Sequence, residues 1–212
     1  LENCNGCARC NNDCPFGAIT MKPRSDGKAY ETEAVVDPAL CMTCGLCTGS
    51  CPTATPFRRH SILSPGIDIP DLSAAALREK LLEVSEELQG GRRIMVFTCL
   101  DDIKAARLKS TLNDSETATV DVICAGQIPP SYIDFILSRN LADGVVIAGC
   151  SGGDCQYRFG AEWTSLRMAR QRDPHLRKRV DNARLAMRWE SPWAGFRDVP
   201  GVVGSFRKSL PV

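Results

Sequence analysis

The sequence predicts a small α+β unit followed by an α/β domain with a small parallel sheet. Three observations carry that prediction. Residues 1–58 contain one cysteine spacing twice over. From Arg92 onward, short apolar runs alternate with segments of helical periodicity, as in strands joined by helical crossovers. Between these regions, residues 59–72 hold two prolines, a glycine and few contiguous apolar residues, which suits a linker.

The duplicated spacing is Cys4, Cys7, Cys10, Cys14 followed by Pro15, then Cys41, Cys44, Cys47, Cys51 followed by Pro52. Three thiolates with two residues between each can wrap one face of a cuboidal cluster. In bacterial-type runs of this spacing, the proline-flanked fourth cysteine ligates the neighbouring cluster. Residues 1–58 thus resemble a two-cluster ferredoxin. The resemblance implies one 4Fe–4S cluster on Cys4, Cys7, Cys10 and Cys51, and a second on Cys14, Cys41, Cys44 and Cys47. Within this unit, Pro15–Met21 reads as a turn and short strand, residues 22–30 as a solvated hairpin loop, and Thr32–Asp37 as the returning strand.

After the linker, Ser73 is a candidate N-cap for a helix carrying Leu77, Leu81, Leu82, Val84 and Leu88 at helical spacing. Gln89-Gly90-Gly91 would end it. Residues 59–91 are therefore expected as linker and helix, and 92–212 as the α/β domain. Its strands are expected at Ile94–Phe97, Thr119–Ile123 and Val145–Ala148. Helices are expected at Asp101–Leu112 and Pro130–Asn140, with Pro129 and Pro130 at the start of the latter. Phe159–Arg172 reads as a further helix, Leu185–Trp189 as a fourth strand or extended piece, and Val199–Leu210 as a closing helix.

The four remaining cysteines are Cys99, Cys124, Cys150 and Cys155. The first three follow the apolar runs of three predicted strands, so they should meet at the carboxyl edge of the sheet, where α/β sites form. Cys155 closes the glycine-rich loop Gly149–Cys155 and can fold back to that edge. Four converging thiols make a soft-metal site. Structural zinc usually gathers its ligands in C-x2-C knuckles, and a thioredoxin-like dithiol would also want that spacing. Neither is present here, which puts an iron–sulfur centre ahead of zinc, a dithiol, or ordinary buried cysteines. The loop lacks a nucleotide-binding glycine pattern. Its glycines are expected to bring backbone N–H groups close to sulfur.

Cys124-Ala125-Gly126-Gln127-Ile128, Asp143-Gly144-Val145 and Gly149-Cys150 through Asp154-Cys155-Gln156-Tyr157 resemble the delta subunit of methyl-viologen-reducing hydrogenase. Related domains are fused to heterodisulfide reductase A-like flavoproteins. The resemblance covers about residues 92–207. It implies an electron relay with a 2Fe–2S cluster on Cys99, Cys124, Cys150 and Cys155. Family members often carry several cysteines after the first strand, whereas Thr98-Cys99-Leu100-Asp101 offers one.

The expected function is a non-catalytic electron-transfer module of an oxidoreductase complex. Its partner would be a redox protein or fused domain of flavoprotein, cytochrome or hydrogenase-like type. Two alternatives stand beside it: a thiol/disulfide or sulfur-substrate oxidoreductase using Cys150 and Cys155, and a zinc-stabilised interaction domain attached to a ferredoxin. Metal content separates all three. A net charge of +1 gives no reason to invoke nucleic acid, and no long apolar run suggests a membrane span. Clustered thiolates on iron imply a reducing compartment, so the cytoplasm is the expected location. Only three residues precede Cys4, where such a unit normally has a strand. The chain is therefore expected to be a piece of a longer polypeptide, and a membrane-associated parent is compatible with that.

Residues 158–188 carry Arg158, Arg167, Arg170, Arg172, Arg177, Lys178, Arg179, Arg184 and Arg188 against Glu162, Asp173 and Asp181. Such a run is expected to be a solvated face or a docking surface for an acidic partner. Trp163, Trp189 and Trp193 are expected in core or interface packing. His60 and His175 carry no assigned role.

Overall fold

The computed structural model describes residues 3–57, 65–99, 102–191, 193 and 196–210. Its N-terminal part consists of α1 (Arg9–Asn12), β1 (Ile19–Pro23), β2 (Thr32–Val36) and α2 (Leu46–Ser50). The strands pair antiparallel, from Ile19 opposite Val36 to Pro23 opposite Thr32. Period-2 alternation buries Ile19 while Thr20 and Lys22 face solvent. The interior is small and thiol-rich: Cys4, Cys10 and Cys51 pack with Ile19, Ala34, Ala54 and Ile67.

The last of these residues corrects an expectation. The described part of the supposed linker lies against the N-terminal part, with Ile67 and Ile69 buried. The Gly66 N–H donates to Thr53 Oγ1 at 2.6 Å, and Asp68 accepts from the Ala74 N–H at 3.0 Å. The physical reason is the spacing of Ile67 and Ile69, which puts two apolar side chains within reach of a core short of them.

Next come α3 (Ala74–Glu87), β3 (Ile94–Thr98), α4 (Asp102–Leu112), β4 (Thr117–Asp121), α5 (Pro130–Ser138), β5 (Gly144–Cys150), α6 (Gly160–Met168), β6 (Leu185–Glu190) and α7 (Val199–Ser209). The four strands form a parallel sheet in the order β4-β3-β5-β6. Ser73 caps α3 as expected, its Oγ accepting from the Ala76 N–H at 3.1 Å. All five residues of β3 are buried, because helices cover both faces of the sheet. Met95, Phe97, Val145 and Ile147 pack on one face with Leu77, Leu81, Ile133 and Ile136 of α3 and α5. Ile94, Val96, Val146 and Ala148 pack on the other with Leu108, Leu112, Val199 and Val203 of α4 and α7. Each fully buried Ile or Leu contributes about 1.5–3 kcal/mol.

Several boundaries differ from the expectation. α3 stops at Glu87, ahead of Gly90, because Leu88 turns extended and is buried, and the Gln89 N–H then bonds Ser115. β4 starts at Thr117 and ends at Asp121, two residues early at each end, because pairing with Ile94 holds Thr117 in the sheet. The Ile123 N–H bonds the Gln127 side chain instead. α5 ends two residues early, before left-handed Asn140, and α6 ends four residues early, before left-handed Arg170. The expected first residue of α4, Asp101, lies outside the described residues. Among the described residues, no helix is long and apolar enough to cross a membrane.

Candidate iron–sulfur sites

The two N-terminal runs fold alike. In each, the residue after the second cysteine is left-handed (Ala8 at φ 58, Gly45 at φ 76) and starts a short helix bearing the third. This shared turn brings thiols three positions apart onto one side. Cys10 lies among Cys51, Cys4 and Cys7, and burial followed by those neighbours pushes its pKa up to about 12. Burial likewise raises Cys44, with Cys14 and Cys41 adding to it. A cavity of about 270 Å³ is lined by Cys14, Cys41, Cys44 and Cys47 together with Phe16, Ile19, Val36 and Ile67. The Ala18 N–H donates to Cys14 Sγ at 3.3 Å, and the Ala34 N–H to Cys4 Sγ at 3.4 Å. Crowded, buried thiols resist ionisation unless a metal supplies positive charge. The donor set and the cavity therefore fit iron–sulfur clusters.

The strand-end cysteines also come together. The sheet order changes direction between β3 and β5, and Cys99 and Cys150 stand at the carboxyl ends of those two strands. That crevice is the usual ligand position in open α/β sheets. Cys124 lies just beyond β4, and Cys155 follows a 3-10 turn at Gly152–Asp154. Cys99 pairs with Cys150 and Cys124 with Cys155, while Cys155 also faces Cys99 and Cys150. The Cys150–Cys155 pair of the dithiol alternative is thus not the closest association.

Hydrogen bonding from Cys124, then the N–H groups of Tyr157, Gly160 and Ala161, lower Cys155 to about 6. The same bond, with burial, holds Cys124 well above its ordinary value. Cys99 is lowered to about 7, first by the Cys150 thiol and then by backbone N–H groups, and Cys150 is raised. Backbone N–H donors are thus already aimed at the sulfurs of Cys99 and Cys155.

Space for these sulfurs depends on glycine. A Cβ on Gly149 would lie 2.6 Å from Cys99 Sγ, and one on Gly160 would lie 2.3 Å from Cys124 Sγ. Within the glycine-rich loop, Gly149 makes this room. Gly152 and Gly153 have no such neighbour, and Gly160, outside that loop, does the same work. All twelve cysteines are free. Among the described residues, no three His, Cys, Asp or Glu side chains are grouped to hold a single metal ion.

The basic run departs furthest from expectation. Arg167 is fully buried, with Nη2 2.6 Å from Asp13 Oδ2 and Nη1 3.3 Å from the Gly126 carbonyl. Arg172 takes the other Asp13 oxygen and lies over the Trp163 ring at 4.3 Å. Arg158 donates to the Pro15 carbonyl at 3.1 Å. Arg170 and Arg184 bond backbone carbonyls, and Arg179 grips buried Asp134 with two bonds of 2.7 Å. Arg167 alone of the run is fully buried; Arg170, Arg172, Arg184 and Arg188 are half-buried. Arg158, Arg177, Lys178 and Arg179 stay exposed, while several of them bond carbonyls or carboxylates that no local pattern announces. Trp163 and Trp189 are part-buried, whereas Trp193 is 86 % exposed and so lies outside the core. His60 lies outside the described residues, and exposed His175 stands 3.6 Å from Asp173.

The family described as methyl-viologen-reducing hydrogenase, delta subunit, matches residues 94–210, over half of the chain. The 4Fe–4S dicluster domain matches residues 3–55. An uncharacterised polyferredoxin-like protein of Methanocaldococcus jannaschii is 31% identical over 94 residues, 41% of this chain and 56% of that protein. The iron-sulfur subunit of the F420-non-reducing hydrogenase of Archaeoglobus profundus is 40% identical over 60 residues, 27% of this chain and 43% of that one. An uncharacterised ferredoxin of M. jannaschii is 38% identical over 52 residues, 24% of this chain and 62% of that one. The chain spans between 43% and 62% of the length of these curated relatives. Together the two matched domains support 4Fe–4S clusters and an electron-transfer role.

Proposed function

The chain belongs to the methyl-viologen-reducing hydrogenase delta-subunit family, and from that premise we propose a three-centre electron relay. Cys4, Cys7, Cys10 and Cys51 hold one 4Fe–4S cluster, and Cys14, Cys41, Cys44 and Cys47 hold the other. Cys99, Cys124, Cys150 and Cys155 hold a 2Fe–2S cluster. The clusters supply one-electron storage. The chain's residues position them, exclude water, and aim N–H donors at sulfur. The crossed assignment is supported by Cys14 lining a cavity with the second run and by Cys51 lying beside Cys10.

The observation that carries the third centre is the convergence of four thiols at the β3/β5 crevice, cleared by Gly149 and Gly160. The partner is a redox protein or fused domain bearing flavin, haem or a hydrogenase-type centre, and the location is the cytoplasm. The units are residues 1–58, 59–91 and 92–212, and the described part of the middle one, residues 65–91, packs against both neighbours.

Iron and sulfide determination on anoxically purified protein tests the reading. About ten irons per chain are expected, from two four-iron clusters and one two-iron cluster. Eight irons with four reactive thiols would remove the third centre. Twelve would make it a 4Fe–4S cluster.

A further inference from the structure

Cys44 leads into α2, and Cys124 leads into a 3-10 turn at Ala125–Gln127. Those two elements meet backbone to backbone. A Cβ on Gly49 would lie 1.9 Å from the Gly126 carbonyl oxygen, and one on Gly126 would lie 2.9 Å from Leu46 Cγ. The result is one buried patch of Cys44, Leu46 and Cys124, edged by Phe16, Tyr157 and Trp163. Tyr157 is an electrostatic neighbour of Cys44, Cys124 and Cys155 alike. Cys4, Cys10 and Cys51 lie in a different patch, which contains no strand-end thiol. Cys10 and Cys47 are neighbours, so the two runs connect to each other.

A buried ion pair spans the same interface. Asp13 precedes Cys14, which lines the second-run cavity, and Gly126 follows Cys124 by two residues. Arg167 grips both at once. Replacing a buried ion pair by apolar side chains is often neutral or stabilising, so stability alone is a weak reason for this one. Fixing the register of the two elements is a better one.

Resting on the relay reading, we propose that the units exchange electrons between the second-run centre and the strand-end centre, across Cys44, Tyr157 and Cys124. Arg167 is the positioning residue that holds this junction closed. With both sites loaded, one electron would leave either of these two centres, oxidising it by one, and enter the other, reducing it by one. No bond or proton changes hands. The first-run centre stands one step further back.

The test uses the full chain, purified without oxygen and with its iron content measured first. Paramagnetic resonance of the fully reduced protein reads the magnetic interaction between centres, which depends on their separation. The strand-end signal should be broadened or split by a neighbour. It should simplify in Cys44→Ala, or in Cys41→Ala if the former does not fold, and persist in Cys51→Ala. The reverse pattern, or a strand-end signal indifferent to all of these, overturns the junction. A strand-end site without iron overturns the relay reading itself, and the junction with it, so the two failures are distinguishable.

Arg167→Met should weaken the interaction and slow electron redistribution after a reducing pulse on the order of tenfold, with iron content unchanged. Arg167→Lys keeps a charge opposite Asp13 but loses the second arm to Gly126, so it should show the same change in smaller degree even if the Met variant does not fold. An unaltered interaction in the folded variants removes the role assigned to Arg167.

Discussion

At the scale of single residues, two atoms' worth of space decides the strand-end site. Gly160 opens α6 with its backbone against Cys124 Sγ, where an added Cβ would sit at 2.3 Å. Gly160→Ala is expected to remove the strand-end signal and leave both N-terminal signals, as seen by visible and paramagnetic spectroscopy. Gly201→Ala in α7 is the control, since a Cβ there meets nothing within 4 Å, and it should be silent or slightly stabilising. Asp143 supplies a pH prediction. Burial raises its pKa, but two-pronged bonding from the Arg93 side chain, with the Arg93 N–H, brings it below the ordinary 3.8. A depressed carboxylate contributes stability above its unfolded pKa and loses it as pH falls through the folded one. Asp143→Asn should therefore cost about 1 kcal/mol at neutral pH. In denaturant midpoints, the gap from wild type should shrink as pH drops below 3.8.

At the scale of elements, strands and helices of the second half were legible because burial imposes periodicity on their sequences. The runs Ile94–Thr98 and Gly144–Cys150 are apolar since both faces of a parallel sheet are covered. Helix ends were less legible. Gly90 marks a turn after α3, yet the helix had already yielded at Leu88 to a tertiary contact. The duplicated cysteine turn is the opposite case, where local spacing dictates local geometry in both copies. Cys51 leaves its turn extended and lies beside Cys10, and Cys14 lines the cavity of the second run. Cys51→Ala is thus expected to perturb the centre on Cys4, Cys7 and Cys10 and spare the second run. Selective loss of the second-run signal would show each run to be self-contained.

At the scale of the whole molecule, one interface joins two sets of thiols with separate supports. The strand-end thiols rest on the parallel sheet and on Gly149 and Gly160, whereas the first run rests on its own patch with Ile19, Ala34 and Ile67. Replacing any one of Cys99, Cys124, Cys150 or Cys155 by Ser should abolish the same signal and lower the stability of residues 92–212. Both N-terminal signals should survive, and the quadruple variant should be little worse than a single one. If only Cys150→Ser and Cys155→Ser had an effect, a local dithiol would replace the cluster in this account.

By itself, the sequence determined the twin cysteine spacing of a 4Fe–4S dicluster domain and the alternation of strand and helix. These are written in short-range patterns, because a cluster-binding turn or an amphipathic helix needs residues only a few positions apart. Tertiary structure alone decided that Asp13 meets Arg167 across 154 positions, that Gly160 makes room for Cys124, and that Cys44 shares a patch with Cys124. An arginine run looks the same in sequence whether it faces water or a buried carboxylate. What distinguishes the two is the partner brought to it by packing, and that partner lies outside any local window.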